Sequence, residues 1–105
     1  MFKIDLSRKS PIKRIINLKS LMILNFIYIH SKIFTKDLFL YLKEKNVGIK
    51  GGHFYRYLES LETYELIKKT GWIDEGARRG YCYIITDKGK KLLDFFKKNP
   101  EYISP

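Results

Sequence analysis

Little in this chain could tie it together covalently or carry it through a bilayer. Cys82 is the only cysteine, which excludes an intrachain disulfide and fits a reducing compartment. Long apolar runs are missing too. The longest, Leu21 to Ile29, is broken by Asn25 and reaches about half of the roughly 20 residues a membrane helix needs. The N-terminus carries Lys3 and Asp5 but no long apolar region and no small-residue cleavage site, so secretion is not indicated. Histidine is scarce, with two residues 53 − 30 = 23 positions apart, and no His, Asp or Glu spacing resembles a metal or acid–base site. No metal, no cofactor and no enzymatic activity are therefore expected. His30, with no second ligand within a turn, reads as a capping or surface side chain. Acidic residues are also few, 11 against 21 Lys and Arg, for a net charge of +10 in 105 residues. That field suits a polyanionic partner. Nucleic acid is favoured over an anionic membrane, because the aromatic residues occupy periodic, core-like positions and do not gather on one exposed amphipathic helix.

What is present divides into one small domain with two flanks. Residues 1–16 form a basic arm, with five cations against Asp5 (5 − 1 = +4), and Ser10-Pro11 offers a helix start. Residues 17–98 form the domain and 99–105 a tail. Leu18, Leu21, Met22, Phe26 and Ile29 follow helical spacing, widened by Ile23, Leu24 and Ile27, which places that helix centrally. Thr35 reads as the N-cap of a second helix, whose Leu38, Phe39 and Leu42 face inward and which ends before Asn46-Val47-Gly48. A short turn with Ile49 as its apolar peg leads to a third helix over 51–64. There Phe54, Leu58 and Leu61 form the buried stripe, with Tyr57 and Ile67 near it, and His53, Tyr55, Arg56, Glu59 and Ser60 point elsewhere. The periodicity then changes. Residues 66–73 and 80–86 are rich in β-branched and aromatic types and read as two strands joined by a loop over 74–79. Cys82 lies in the second, as a strand residue. Thr86 or Asp87 caps a last helix over 87–98, which Asn99-Pro100 stops. The fold class is α+β, mostly α.

Two stretches carry a family resemblance. Tyr55-Arg56-x-Leu58-x-x-Leu61-Glu62-x-x-x-x-Ile67 and Arg79-x-Tyr81-x-Tyr83-x-Ile85-Thr86-x-Lys88-Gly89-x-x-Leu92, in this order and spacing, resemble the PadR and MarR group of winged helix-turn-helix transcriptional regulators. With the two preceding helices the likeness spans most of residues 18–98. It implies a cytoplasmic, nucleoid-associated homodimer on a pseudo-palindromic operator, with a C-terminal dimerisation helix. The chain departs from the pattern twice: Glu65 stands where glycine usually follows the recognition helix, and Lys50-Gly51-Gly52 stands where Ser or Thr usually opens it.

The expected function is sequence-specific binding of double-stranded DNA in transcription regulation. Helix 51–64 would enter the major groove, with Lys50, Gly52, His53, Tyr55, Arg56 and Ser60 as its contacts. Arg56 can fork onto guanine or hold a phosphate, and Tyr55 can meet the backbone or sit partly in the core. The wing, 74–80, would bring Arg78 and Arg79 to a minor groove or the backbone, with Lys68 and Lys69 on phosphates at its base. Leu92, Leu93, Phe95 and Phe96 would meet a second copy, setting two recognition helices about 34 Å apart. The alternatives are a nonspecific, chromatin-like nucleic-acid binder and a winged helix that binds protein.

Overall fold

The computed structural model describes residues 16–76 and 78–103. The expected arm, with its Ser10-Pro11 helix start, lies outside the described residues except for Ile16, which is buried in the core. The described elements are α1 (Leu18–Ile29), β1 (Ile33–Phe34), α2 (Thr35–Glu44), α3 (Gly51–Thr63), β2 (Ile67–Glu75), β3 (Arg78–Ile85), α4 (Asp87–Lys98) and a 3-10 turn (Pro100–Tyr102). The order of helix, short strand, helix, helix and two-stranded wing is that of a winged helix-turn-helix.

Asn17 opens α1 with a reciprocal cap: its side chain accepts from the Ser20 amide, and the Ser20 hydroxyl accepts from the Asn17 amide, both at 2.9 Å. The Asn17 side chain also donates to the Tyr57 hydroxyl at 3.1 Å, tying the start of α1 to α3. Ile23, Leu24 and Ile27 of α1 are fully buried, as its apolar circumference implies, whereas Leu18 and Ile29 at its two ends are exposed. His30 caps its C-terminus and turns Nδ1 toward the Phe26 carbonyl at 2.8 Å.

Three expectations need correction. Thr35 is the first residue of α2 and not its cap; its hydroxyl donates to the Tyr81 carbonyl at 2.7 Å and so fastens α2 to the wing. A third strand, β1, pairs antiparallel with β3 through Ile33↔Tyr83 and Phe34↔Cys82, giving the order β1-β3-β2. The expected loop over 74–79 is mostly strand, because the ladder continues through Asp74↔Arg79 and Glu75↔Arg78 and leaves only residues 76–77 between the strands.

The helix ends explain why Glu65 is tolerated. Glu65 takes a left-handed φ of 60°, its amide bonds to the Glu62 carbonyl, and the Leu66 amide reaches back to the Leu61 carbonyl, both at 2.9 Å. This is a Schellman closure, completed by the buried pair Leu61 and Leu66. Asn46 at φ 59° ends α2 in the same way, with Val47 bonding back to Leu42. The geometry of the family's glycine is therefore kept without the glycine.

Leu66 also receives α4. Thr86 caps that helix by accepting from the Gly89 amide at 3.0 Å, and a Cβ placed on Gly89 would overlap the Leu66 carbonyl oxygen. Gly89→Ala is expected to cost about 1–3 kcal/mol by overpacking. Glu65→Gly, which relieves the left-handed strain, is expected to raise stability by several tenths to about 1 kcal/mol. Thermal unfolding of both variants checks these opposite signs.

Candidate nucleic-acid interface

Residues 51–63 form a helix with two distinct sides. Phe54, Leu58 and Leu61 are buried and Tyr57 is half-buried, which fixes the rotation of α3 and leaves His53, Tyr55, Arg56 and Glu59 in solvent, with Ser60 half-buried. At the N-terminus Lys50 is extended, and its side chain makes no capping hydrogen bond to the first amides. A Cβ on Gly51 or Gly52 would meet nothing within 4 Å, so no internal contact requires glycine there. Exposed backbone N–H groups at a helix N-terminus, with no Cβ in front of them, suit close approach to an anion.

The wing adds a second surface, organised by one irregularity. Between Thr70 and Trp72 the ladder is bulged at Gly71, whose φ is 61°. Lys69 pairs with Tyr83 before the bulge and Trp72 pairs with Tyr81 after it. Paired residues share a face, as do Arg79, Tyr81 and Tyr83 at spacing two. Lys69, Trp72, Asp74, Arg79, Tyr81 and Tyr83 therefore lie on one face of the hairpin. That face is turned toward α3: Lys69 Nζ lies 3.6 Å from the Glu62 carboxylate and 5.0 Å from the centre of the Tyr81 ring. Lys68, paired with Ile84, is exposed on the opposite face.

The two lysines at the wing base, Lys68 and Lys69, thus lie on opposite faces. Lys69 is balanced by Glu62, and Arg79 donates to Asp74 at 2.9 Å. Arg78 opens β3 opposite Glu75, and its side chain lies outside what the structure describes. Two exposed aromatics that the sequence reading did not select, Trp72 and Tyr81, stand on the α3 side with ring centres 5.0 Å apart. Period-two spacing from Tyr83 is enough to reach Tyr81. Trp72 is found only once the bulge is known, because uninterrupted alternation from Lys69 would put it on the other face.

Leu92, Leu93 and Phe96 are buried within the single chain, where α4 packs on α1 and the wing base; Phe95 is half-buried and meets Phe96 edge-on with ring centres 5.4 Å apart. The apolar seam of α4 contributes to the chain's own core. An open groove of about 280 Å³ remains between α1 and the C-terminal segment, lined by Leu21, Met22, Phe26, Leu93, Phe96 and Ile103 among others.

No group of three or more His, Cys, Asp or Glu side chains among the described residues is placed to hold a metal ion, and Cys82 is buried in β3. The phenol of Tyr83 is held above its ordinary range, first by burial and then by the nearby Glu62 carboxylate, with Tyr55 and Tyr81 adding smaller effects. A raised folded-state value gives stability that is complete below the ordinary tyrosine pKa of about 10 and is lost as pH rises through the higher folded value. Ultraviolet titration should show Tyr83 ionising late, and Glu62→Gln should move it back only part of the way because burial is the larger cause.

No family model matches the chain, and no curated protein matches it significantly. Solved structures do. A PadR family transcriptional regulator from Eggerthella lenta superimposes with a TM-score of 0.70 at 18% identity, over 86% of this chain and 76% of that one. A PadR family transcription regulator from Clostridium difficile gives 0.67 at 21% identity, over 79% and 86%. The protein smu.1704 from Streptococcus mutans gives 0.68 at 25% identity, over 80% and 76%. The extended α3 opening, the closure at Glu65, the hairpin and the returning α4 thus make up the winged helix-turn-helix fold of the PadR-like regulators.

Proposed function

We propose that this protein is a sequence-specific, double-stranded DNA-binding transcription regulator that works as a homodimer. One observation supports this above the rest. The edge of α3 that carries Tyr55 and Glu62 faces the side of the wing that bears Lys69 and Arg79, joined through the Glu62–Lys69 pair, while His53 and Arg56 stand exposed further around the same helix. A helix with an uncapped, glycine-opened N-terminus suits the major groove, and a hairpin beside it suits the backbone or the adjacent minor groove. Lys50, Gly52 and Ser60 complete the helix contacts, and Lys68 reaches backbone only along the outer edge of the wing. The described residues contain no helix long and apolar enough to cross a membrane, in keeping with a regulator that meets DNA in the cytoplasm.

Arg56 carries the base reading in this account, since a guanidinium fork on guanine O6 and N7 is worth about 1–3 kcal/mol of discrimination. Selection from a random duplex pool is expected to enrich one motif. Arg56→Ala should then weaken the selected site about tenfold or more while leaving random duplex nearly unaffected. Equal losses would reassign Arg56 to a phosphate, and a pool without enrichment would favour the nonspecific binder.

For the homodimer, the groove lined by Met22, Phe26 and Ile103 is the contact proposed for a second copy, since Phe96 at its floor is already buried in the single chain. A charge at Phe96 would unfold the monomer before it tested assembly. Met22→Glu places the charge at the groove and should shift sedimentation from dimer to monomer with the far-ultraviolet spectrum unchanged. A persistent dimer would move the interface elsewhere.

A further inference from the structure

Trp72 and Tyr81 are 58% and 42% exposed, although both rings are large enough to repay burial. They are not loose. The rings meet edge to face at 73°, Lys69 Nζ lies over Tyr81, and the strand beneath is anchored where Thr35 donates to the Tyr81 carbonyl. Their placement depends on the Gly71 bulge, which spends one residue of the ladder to set Trp72 beside Tyr81 on the α3 side. Tyr55, 62% exposed on α3, extends the aromatic surface across to the helix, and the Lys69–Glu62 pair bridges the two elements at 3.6 Å.

The charges on this face are largely matched. Arg79 is engaged by Asp74 and Lys69 by Glu62, so the wing face offers less cationic attraction than its residue types suggest, while its rings stay open to solvent. Taking the reading above as the starting point, we propose that Trp72 and Tyr81 form an aromatic contact to the same DNA duplex, laid on sugars and base edges next to the groove that α3 enters. Continuity with the α3 face and a net charge of +10 select a nucleic acid as the occupant of this surface. Ring contact with nucleic acid tolerates sequence and releases no counterion, so it adds affinity that salt does not remove, unlike the phosphate contacts of lysine and arginine.

Trp72 is the only tryptophan, so its emission reports on this surface alone. The full chain is titrated with a fluorescein-labelled random duplex at several salt concentrations, reading anisotropy and tryptophan emission together. Emission should be quenched at the same midpoint as the anisotropy change. Trp72→Ala should weaken binding about tenfold with an unchanged slope of affinity against salt, and Trp72→Phe should restore most of the loss. Unperturbed emission with full affinity in Trp72→Ala, while Lys50→Ala still weakens binding, would overturn the aromatic contact and leave the DNA-binding reading standing. A slope lowered by about one would assign the effect to charge and also overturn it. Dissociation of a dimer in Trp72→Ala, seen by sedimentation, would make the rings a protein contact. Failure of the unaltered chain to bind duplex at any salt would remove the DNA-binding reading itself.

Discussion

The backbone of Leu66 is where the molecule is held together. Its amide closes α3 by bonding to Leu61, its carbonyl accepts from the Thr86 amide at 3.0 Å while the Thr86 hydroxyl donates chiefly to the neighbouring Glu65 carbonyl at 2.6 Å, and the Leu66 carbonyl lies against Gly89. Its side chain is fully buried. One residue therefore fixes the exit of α3, the base of the wing and the approach of the last helix. Buried backbone groups must find partners, so these three elements cannot shift independently without leaving a polar group unsatisfied. The angle between α3 and the wing, on which any joint contact to a duplex depends, is set here and not at the contact surface.

Outward from that junction, the wing trades charge for shape. The Asp74–Arg79 and Glu62–Lys69 pairs are solvent-exposed and add little to folding. Their effect is on the field: a chain with strong net positive charge presents a nearly balanced hairpin face with two rings on it. Gly71 permits the bulge that aims the first of those rings, a conformation that L side chains rarely adopt.

Much of this could be read from the residues. The stripe of Phe54, Leu58 and Leu61 fixed which side of α3 is buried, and the motif from Arg79 to Leu92 placed the second strand and the last helix, whose bounds Asp87–Lys98 agree with the sequence reading. The misses share a physical origin, since each depends on a partner far away in sequence. Two residues, Ile33 and Phe34, become a strand only because β3 lies beside them. Thr35 gives up the capping role its type favours because the Tyr81 carbonyl is within reach. That Leu92, Leu93 and Phe96 are buried in the single chain's own core is likewise a tertiary fact, which helical spacing alone does not reveal. The Gly71 bulge breaks the period of two on which strand reading rests, and so it concealed Trp72.

In the proposed complex α3 and one face of the wing act as a single surface. Titrating isotope-labelled protein with its selected duplex and following amide and tryptophan side-chain NMR signals tests this most directly. The account predicts perturbations that cluster on Gly51 to Ser60 together with Lys69, Trp72, Arg79 and Tyr81, while Lys90, Lys91 and Lys97 of α4 stay unmoved. Shifts concentrated on those α4 lysines, or on α3 with the wing face silent, would contradict it.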